Sequence, residues 1–165
     1  MRTLLLLSGL PGSGKSTWSR QYKRLHPTAK IVSSDEIRKE FFGTTANFSD
    51  EKRVWGTFLD RLKRFGQEEG AIVIADSTNL NNYFRRYYVD STPEYDHHVL
   101  VMFDIPAADC ELLNNQRTGD RRLPLEAMKR LESQFEPLDE ETEKAFDEVV
   151  RVGPDFVCEA LRKAK

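Results

Sequence analysis

An apolar run, Leu4 to Leu7, leads directly into Gly9-Leu-Pro-Gly-Ser-Gly-Lys-Ser16, and a helix-like stretch follows. Strand, glycine loop and helix in that order are what a phosphate cradle requires. The glycines let successive backbone N–H groups turn toward phosphates without side-chain clash, and the helix N-terminus adds its own field. The spacing G-x-x-x-x-G-K-S assigns Lys15 to the β and γ phosphates and the Ser16 hydroxyl to Mg²⁺. The expected phosphate-binding set is Gly9, Pro11, Gly12, Ser13, Gly14, Lys15, Ser16 and Thr17. At ordinary residue frequencies such a match arises by chance in well under about one chain in a hundred, so a nucleoside triphosphate site is the first expectation.

At 165 residues the chain is of usual single-domain size, and one domain over 1–165 is expected. Cys110 and Cys158 show no C-x-x-C or His-rich spacing, which argues against a disulfide framework or structural zinc and points to a reducing compartment, the cytoplasm. No stretch has membrane-spanning length, and Leu4 to Leu7 is too short for a signal peptide, so no membrane partner is expected. The net charge of −2 provides no global attraction to nucleic acid, and any such substrate must be held by local basic clusters.

Apolar runs alternate with helical patterns, which predicts an α/β fold with a parallel sheet of about five strands flanked by helices. The strands are expected at Thr3 to Ser8, Lys30 to Ser33, Ala71 to Ala75, His98 to Phe103 and Glu148 to Val152. Helices are expected at Lys15 to Leu25, Asp35 to Phe41, Asp50 to Glu68, Asn82 to Val89, Ala107 to Gln116 and Leu125 to Phe135, with a last one near Phe156 to Lys163. Val54, Phe58, Leu62 and Phe65 mark the buried face of the third helix.

A phosphate loop alone does not separate a kinase from an ATPase or a switch, so the acidic positions decide. Asp35 follows the second strand, with Arg38 three residues on and projecting from the same side of the helix start. A carboxylate there can accept the proton of an attacking hydroxyl, with Arg38 holding it ionised. Helix capping is the competing account, because Ser33 with Glu36 makes a capping box and Asp35 favours the helix dipole. Asp76 ends an apolar strand, next to the Mg²⁺ and phosphates. It is followed by Ser77 rather than the water-activating Glu a motor ATPase would commonly carry, which favours transfer over hydrolysis. Thr78 and Asn79 continue as a polar loop suited to substrate contact or to plain turn chemistry.

The segment Arg117-Thr-Gly-Asp-Arg121-Arg122-Leu-Pro124 joins two helices and reads as a lid over about 117–124. Its guanidinium groups can neutralise charge on a transferring phosphoryl group, with Arg117 favoured and Arg121 assigned to the nucleotide; a solvated basic loop is the alternative. Tyr83-Phe84-Arg85-Arg86-Tyr87-Tyr88 interleaves aromatics with arginines, which suits base stacking and phosphate contact through Arg85. An amphipathic helix with Phe84 and Tyr88 inward fits the same segment.

The P-loop with its continuation Thr-Trp-Ser-Arg20, then Ser34-Asp-Glu-Ile-Arg38, then Asp76-Ser-Thr-Asn-Leu-Asn81 and the Arg117 to Pro124 lid resemble the kinase domain of bacteriophage-type polynucleotide kinases, within the wider P-loop zeta-toxin and small-molecule kinase group. The likeness runs in order from Met1 to about Val152. It implies a P-loop NTPase kinase fold and transfer of the ATP γ-phosphate to the 5′-hydroxyl of a DNA or RNA end; GTP is left open as a donor, and the aromatic and arginine segment Tyr83 to Tyr88 suits a single-stranded end. It also implies Lys15 and Ser16 on ATP and Mg²⁺, Asp35 as general base, Arg38 on the acceptor nucleotide and Arg117 on the β and γ phosphates. Ser77 makes the Asp76 to Thr78 spacing one residue longer than in the phage enzymes, which opens other acceptors: a hydroxymethylated base in DNA, a sugar or a nucleoside. No D-x-D-G-T pattern follows Val152, so no phosphatase domain is expected. An ATPase switch without a transfer substrate is the reading from another class.

Overall fold

In the computed structural model, which describes residues 1–156, Thr3–Ser8 forms strand β1 at the centre of a five-stranded sheet. The others are β2 (Lys30–Ser33), β3 (Ile72–Asp76), β4 (His97–Phe103) and β5 (Glu148–Val152), in the order β2-β3-β1-β4-β5 with every pairing parallel. Parallel strands need crossovers, and these are α1 (Lys15–Leu25), α2 (Ser34–Phe42) with α3 (Glu51–Phe65), α4 (Asn82–Ser91), and then α5 (Ala107–Gln116), α6 (Leu125–Gln134) and α7 (Glu140–Ala145).

Side chains alternate across a strand, so β1 feeds two cores. Leu4 and Leu6 join Val54, Phe58 and Leu62 of α3 and Tyr88 of α4, whereas Leu5 and Leu7 join Cys110 and Met128 of α5 and α6, with Trp18 and Tyr22 of α1 packed against them. Because β1 lies between β3 and β4, the chain leaves it to either side, and a crevice opens at the carboxyl ends of the strands. The loop after β1, the end of β3 and the start of α2 all meet there. Among the described residues no helix is long and apolar enough to cross a membrane.

The five expected strands and six of the expected helices form, with small boundary shifts. α3 is shorter than expected because Asp50 is its N-cap, accepting from Arg53 N at 3.3 Å, and Gly66 its C-cap. α7 was not foreseen: Glu140-Glu-Thr-Glu-Lys-Ala has no apolar stripe, and the helix starts on the Asp139 side chain, which accepts from Thr142 N at 2.7 Å. The helix expected near Phe156 to Lys163 lies, from 157 onward, outside the described residues.

Candidate active site

The loop between β1 and α1 turns through two glycines with left-handed backbones, Gly12 at φ 81° and Gly14 at φ 92°. At Gly12 a side chain is excluded twice, since a Cβ there would also collide with the Cys110 carbonyl of α5. Ser13 Oγ is buried with no partner among the described residues, a polar atom awaiting one. Lys15 is 8 % exposed and its Nζ donates to Gly9 O at 2.9 Å and Leu10 O at 2.8 Å, so the ammonium sits inside the loop. Burial pushes its pKa down to about 8, against the pull of the Asp76 carboxylate.

Ser16 Oγ donates to Asp76 Oδ2 at 3.1 Å, which brings the first turn of α1 to the tip of β3. Asp76 is almost fully buried, and desolvation raises its pKa despite Lys15 and Ser16. A hydroxyl and a desolvated carboxylate converging beside a phosphate loop fit Mg²⁺ chemically, since a cation would compensate the charge that burial penalises. Among the described residues no three His, Cys, Asp or Glu side chains form a metal cluster, so phosphate oxygens and water would have to complete such a shell.

Across the crevice, β2 pairs Ser33 with Asp76, and α2 begins immediately after. Asp35, with its side chain 55 % exposed, accepts from Arg38 Nη1 at 2.8 Å. Arg38 itself is 7 % exposed and is gripped by Glu51 of α3, through Nε to Oε2 at 3.0 Å and Nη2 to Oε1 at 2.5 Å, with the Phe48 and Trp55 rings 4.8 and 5.5 Å away. Glu51 therefore braces the arginine that orients Asp35. The Ser33 cap forms on Glu36 N at 3.3 Å, but the Glu36 carboxylate leaves the capping box and accepts from Arg121 Nη2 at 2.7 Å.

That ion pair fastens the segment after α5, a short 3₁₀ turn at Gly119–Arg121, onto α2. Asp120 adds a second fastening, accepting from Thr44 Oγ1 at 2.6 Å and Thr45 N at 3.0 Å. Arg117, partly buried, donates from Nη1 to Arg121 O at 3.4 Å, and burial lowers its pKa, with Asp35 the strongest of the charges opposing that shift. A cavity of about 240 Å³ runs between Ser16, Ser19 and Arg20 of α1, Ile31 and Ser33 of β2, Glu36, Asp76 and Arg121.

Two expected substrate residues are placed elsewhere. Arg85 is fully buried under α4: Nε donates to Ser8 Oγ and Asn79 O at 3.1 Å, Nη1 to Asn82 Oδ1 at 2.8 Å, and Nη2 to Leu80 O at 3.1 Å and Glu136 O at 2.8 Å. It ties the loop after β3 to the chain before α7 and offers nothing to solvent. Asn79 is 6 % exposed at φ 43°, with Nδ2 on Leu7 O at 2.7 Å and Ser77 Oγ at 2.8 Å, so it fixes the loop rather than contacting a substrate. Thr78, half-buried, receives Gly9 N on its carbonyl at 2.9 Å. On α4 the ring orientation differs as well, since Tyr88 is buried but Phe84 is 48 % exposed. Arg85→Ala is therefore expected to destabilise by about 3–5 kcal/mol through loss of a buried hydrogen-bonded charge, read as a lower urea midpoint. An unchanged midpoint would return Arg85 to the list of substrate contacts.

The Lys15 shift sets a pH dependence. Between about pH 8 and the ordinary lysine value of 10.5 the unfolded chain holds a proton that the folded chain lacks, so this group adds stability as pH rises through that window. Phosphate binding needs the charged form. ATP affinity is expected to fall by up to about tenfold per pH unit above pH 8, with proton uptake on binding near pH 8. Calorimetry in two buffers of different ionisation enthalpy measures both, and a flat affinity up to pH 10 would contradict the burial of Lys15.

A parallel β2-β3-β1-β4-β5 sheet with a glycine loop, a Ser-Asp pair at its mouth and arginines over it is a P-loop kinase fold. The chain belongs to the AAA domain family, whose model matches residues 4–138. It is 29% identical over 143 residues to the 2′,3′-cyclic-nucleotide 3′-phosphodiesterase of Rattus norvegicus, covering 83% of this chain and 33% of that protein. The chain thus spans about a third of the length of the curated relatives it matches first. Among solved structures it is similar to Kti12 of Chaetomium thermophilum in complex with ADP-AlF3, with TM-score 0.70, 17% identity and 98% of each chain covered. It is also similar to a chain of the Pnkp1/Rnl/Hen1 RNA repair complex, with TM-score 0.68, 25% identity, and coverage of 88% of this chain and 46% of that one. The fold is shared with small-molecule kinases and a fungal RNA kinase alike.

Proposed function

We propose that the protein is an ATP-dependent kinase that transfers the γ-phosphoryl group to an alcohol hydroxyl. The observation that carries this reading is Asp35: half exposed, oriented by Arg38, and close enough to bear electrostatically on Lys15, Asp76 and Arg117. In the proposed reaction an acceptor hydroxyl entering from the β2–β3 side gives its proton to Asp35 as its oxygen bonds the γ-phosphorus. The bond from that phosphorus to the bridging oxygen breaks, and ADP leaves. The loop amides and Lys15 hold the phosphates, and Arg117 faces the charge that moves during transfer. Mg²⁺, held by Ser16 with Asp76 beside it, would neutralise phosphate charge when bound.

The cavity decides how much of the acceptor is enclosed. At about 240 Å³ it falls below the roughly 300–1,000 Å³ of drug-sized ligand sites, which suits a hydroxyl compound of sugar or nucleoside size. A polynucleotide 5′-hydroxyl end is the second reading, in which the cavity takes only the terminal residue; likeness to a chain of an RNA repair complex supports it. With Arg85 buried, such a strand would rely on the exposed rings of Tyr83, Phe84 and Tyr87 or on other surface groups. The test is ADP formation with Mg²⁺ and ATP in the presence of nucleosides, nucleotides, sugars, sugar acids and 5′-hydroxyl DNA and RNA oligonucleotides. Acceptor-stimulated ADP release supports a kinase and ranks the two readings. Turnover indifferent to every acceptor would instead identify an ATPase.

A further inference from the structure

The segment Tyr83-Phe84-Arg85-Arg86-Tyr87-Tyr88 places two arginines among the rings of α4, and the fold takes both away from the ring face. Arg85 turns inward, where Ser8, Asn82 and backbone carbonyls satisfy it. Arg86 is drawn sideways onto α7: its Nη1 donates to Thr142 Oγ1 at 3.0 Å and lies 3.6 Å from both Asp139 Oδ2 and Glu141 Oε2. Tyr88 packs into the core, whereas Tyr83, Phe84 and Tyr87 stay in solvent, 65 %, 48 % and 38 % exposed. Tyr83 and Tyr87, one turn apart, lie nearly parallel, with centroids 6.4 Å apart and 18° between their planes, and Phe84 meets Tyr83 edge-on at 5.4 Å.

A lone exposed ring is ordinary on a protein surface, but three in mutual contact on one helix form an unpartnered apolar patch of the kind that marks an interaction site. The charges at its rim say what covers it. α7 is entered through Asp139-Glu140-Glu141 and adds Glu143, Asp90 follows Tyr87 by three positions on α4, and Glu136 accepts from Asn82 N at 3.3 Å at the start of that helix. The cations on the two helices outside the core are Arg86, shared between two carboxylates, and Lys144, paired with Glu140 at 2.9 Å. The rim is therefore net negative. A phosphate backbone would meet repulsion there with no free cation to hold it, and so would an acidic protein. A cation finds both things it needs: ring faces that attract it through their quadrupole, and the carboxylates of Glu140 and Glu141, each 82 % exposed. Arginine fits better than lysine, because its planar guanidinium can lie on a ring and still donate to a carboxylate from its edge.

We propose that this face of α4, with the acidic edge of α7, docks a basic segment of a partner protein, its arginines lying on Tyr83 and Tyr87 while neighbouring basic side chains pair with Glu140 and Glu141. None of these residues lines the cavity beside the phosphate loop, and the inference does not rest on the kinase reading.

The test measures fluorescence anisotropy of a short labelled peptide alternating arginine with glycine, of its lysine and glutamate counterparts and of a single-stranded thymidine oligonucleotide, each added to the full chain. The arginine peptide is expected to bind about 3- to 10-fold more tightly than the lysine peptide, and the glutamate peptide not at all. Tyr83→Ser with Tyr87→Ser should weaken the arginine peptide by about tenfold or more. Glu140→Gln with Glu141→Gln should weaken it by about 3- to 10-fold at low salt and less at high salt, whereas Glu69→Gln with Glu126→Gln, which removes the same charge from other exposed positions, should leave it within about twofold. Amide chemical shifts of the wild-type protein during the peptide titration give a reading that needs no variant to fold, and the changes should fall on α4 and α7. The proposal is overturned if the ring variant binds the arginine peptide as the wild type does, or if the shifts fall elsewhere. It is equally overturned if the oligonucleotide binds and the ring variant abolishes that binding, which would assign the face to nucleic acid, or if the wild type sediments as a dimer that the ring variant dissolves, which would assign it to a second copy of the chain.

Discussion

Asp35→Asn is expected to lower kcat by about 10²- to 10⁴-fold, the usual contribution of a general base, with little change in KM for ATP. The substitution keeps the size of the side chain and an oxygen that Arg38 can donate to, but removes the ability to take up a proton. Arg38 remains held by Glu51 and by the rings of Phe48 and Trp55, so α2 keeps its place. Thermal unfolding should shift by no more than a few degrees. Glu51→Gln offers a graded comparison, because it loosens the brace without touching the base. Full activity of the Asp35→Asn protein would remove Asp35 from the chemistry and leave it a helix-start residue.

Lys15→Met is expected to have the largest effect, a loss of about 10³-fold or more in phosphoryl transfer, since one preorganised donor in a dry site contributes on that scale. Stability should move the other way or not at all. Lys15 is nearly fully buried, and burial pushes its pKa down, so the fold holds the ammonium at a cost. Methionine fills a similar volume without that cost, at the expense of the two carbonyls that Lys15 satisfies, Gly9 O and Leu10 O. Melting without nucleotide should therefore be equal or higher, while the upward shift produced by ATP in the wild type should vanish. A variant that melts much lower would place Lys15 in the framework of the loop.

Local spacing made much of this site readable before its geometry. The glycine loop depends on backbone conformation at fixed intervals, and Gly12 and Gly14 adopt the left-handed angles that only glycine takes without strain. Asp35 and Arg38 lie three residues apart on a helix, so their contact follows from helical geometry. Contacts made across the fold left no such trace. Glu51 reaches Arg38 over 13 positions and Asp120 reaches Thr45 over 75, and each reads in sequence as an ordinary acid at a helix start or in a loop.

Arg85 and Asn79 show the opposite difficulty. Both are polar, lie near the strand end that carries Asp76, and resemble substrate contacts as residue types. Their fate is set by α4 packing over β1, which turns Arg85 inward onto Ser8 and the loop carbonyls. Ser33 three residues before Glu36 predicts a capping box; the hydroxyl cap forms, but the carboxylate is captured by Arg121, 85 positions away. The sequence of α7 is almost wholly charged and shows no helical stripe, and its position comes from the Asp139 cap and the burial of Thr142.

The central claim is that Asp35 activates a hydroxyl for attack on ATP, and the most direct measurement is the stoichiometry of the reaction. ADP released and phosphate gained by the acceptor, the latter located by mass spectrometry, should be counted in one mixture for the wild type and for Asp35→Asn. The account predicts one acceptor phosphate per ADP, on a hydroxyl, with both products falling together in the variant. ADP formed without phosphorylated acceptor, at the same rate in both proteins, would contradict it and make the site a nucleotide hydrolase in which Asp35 takes no part.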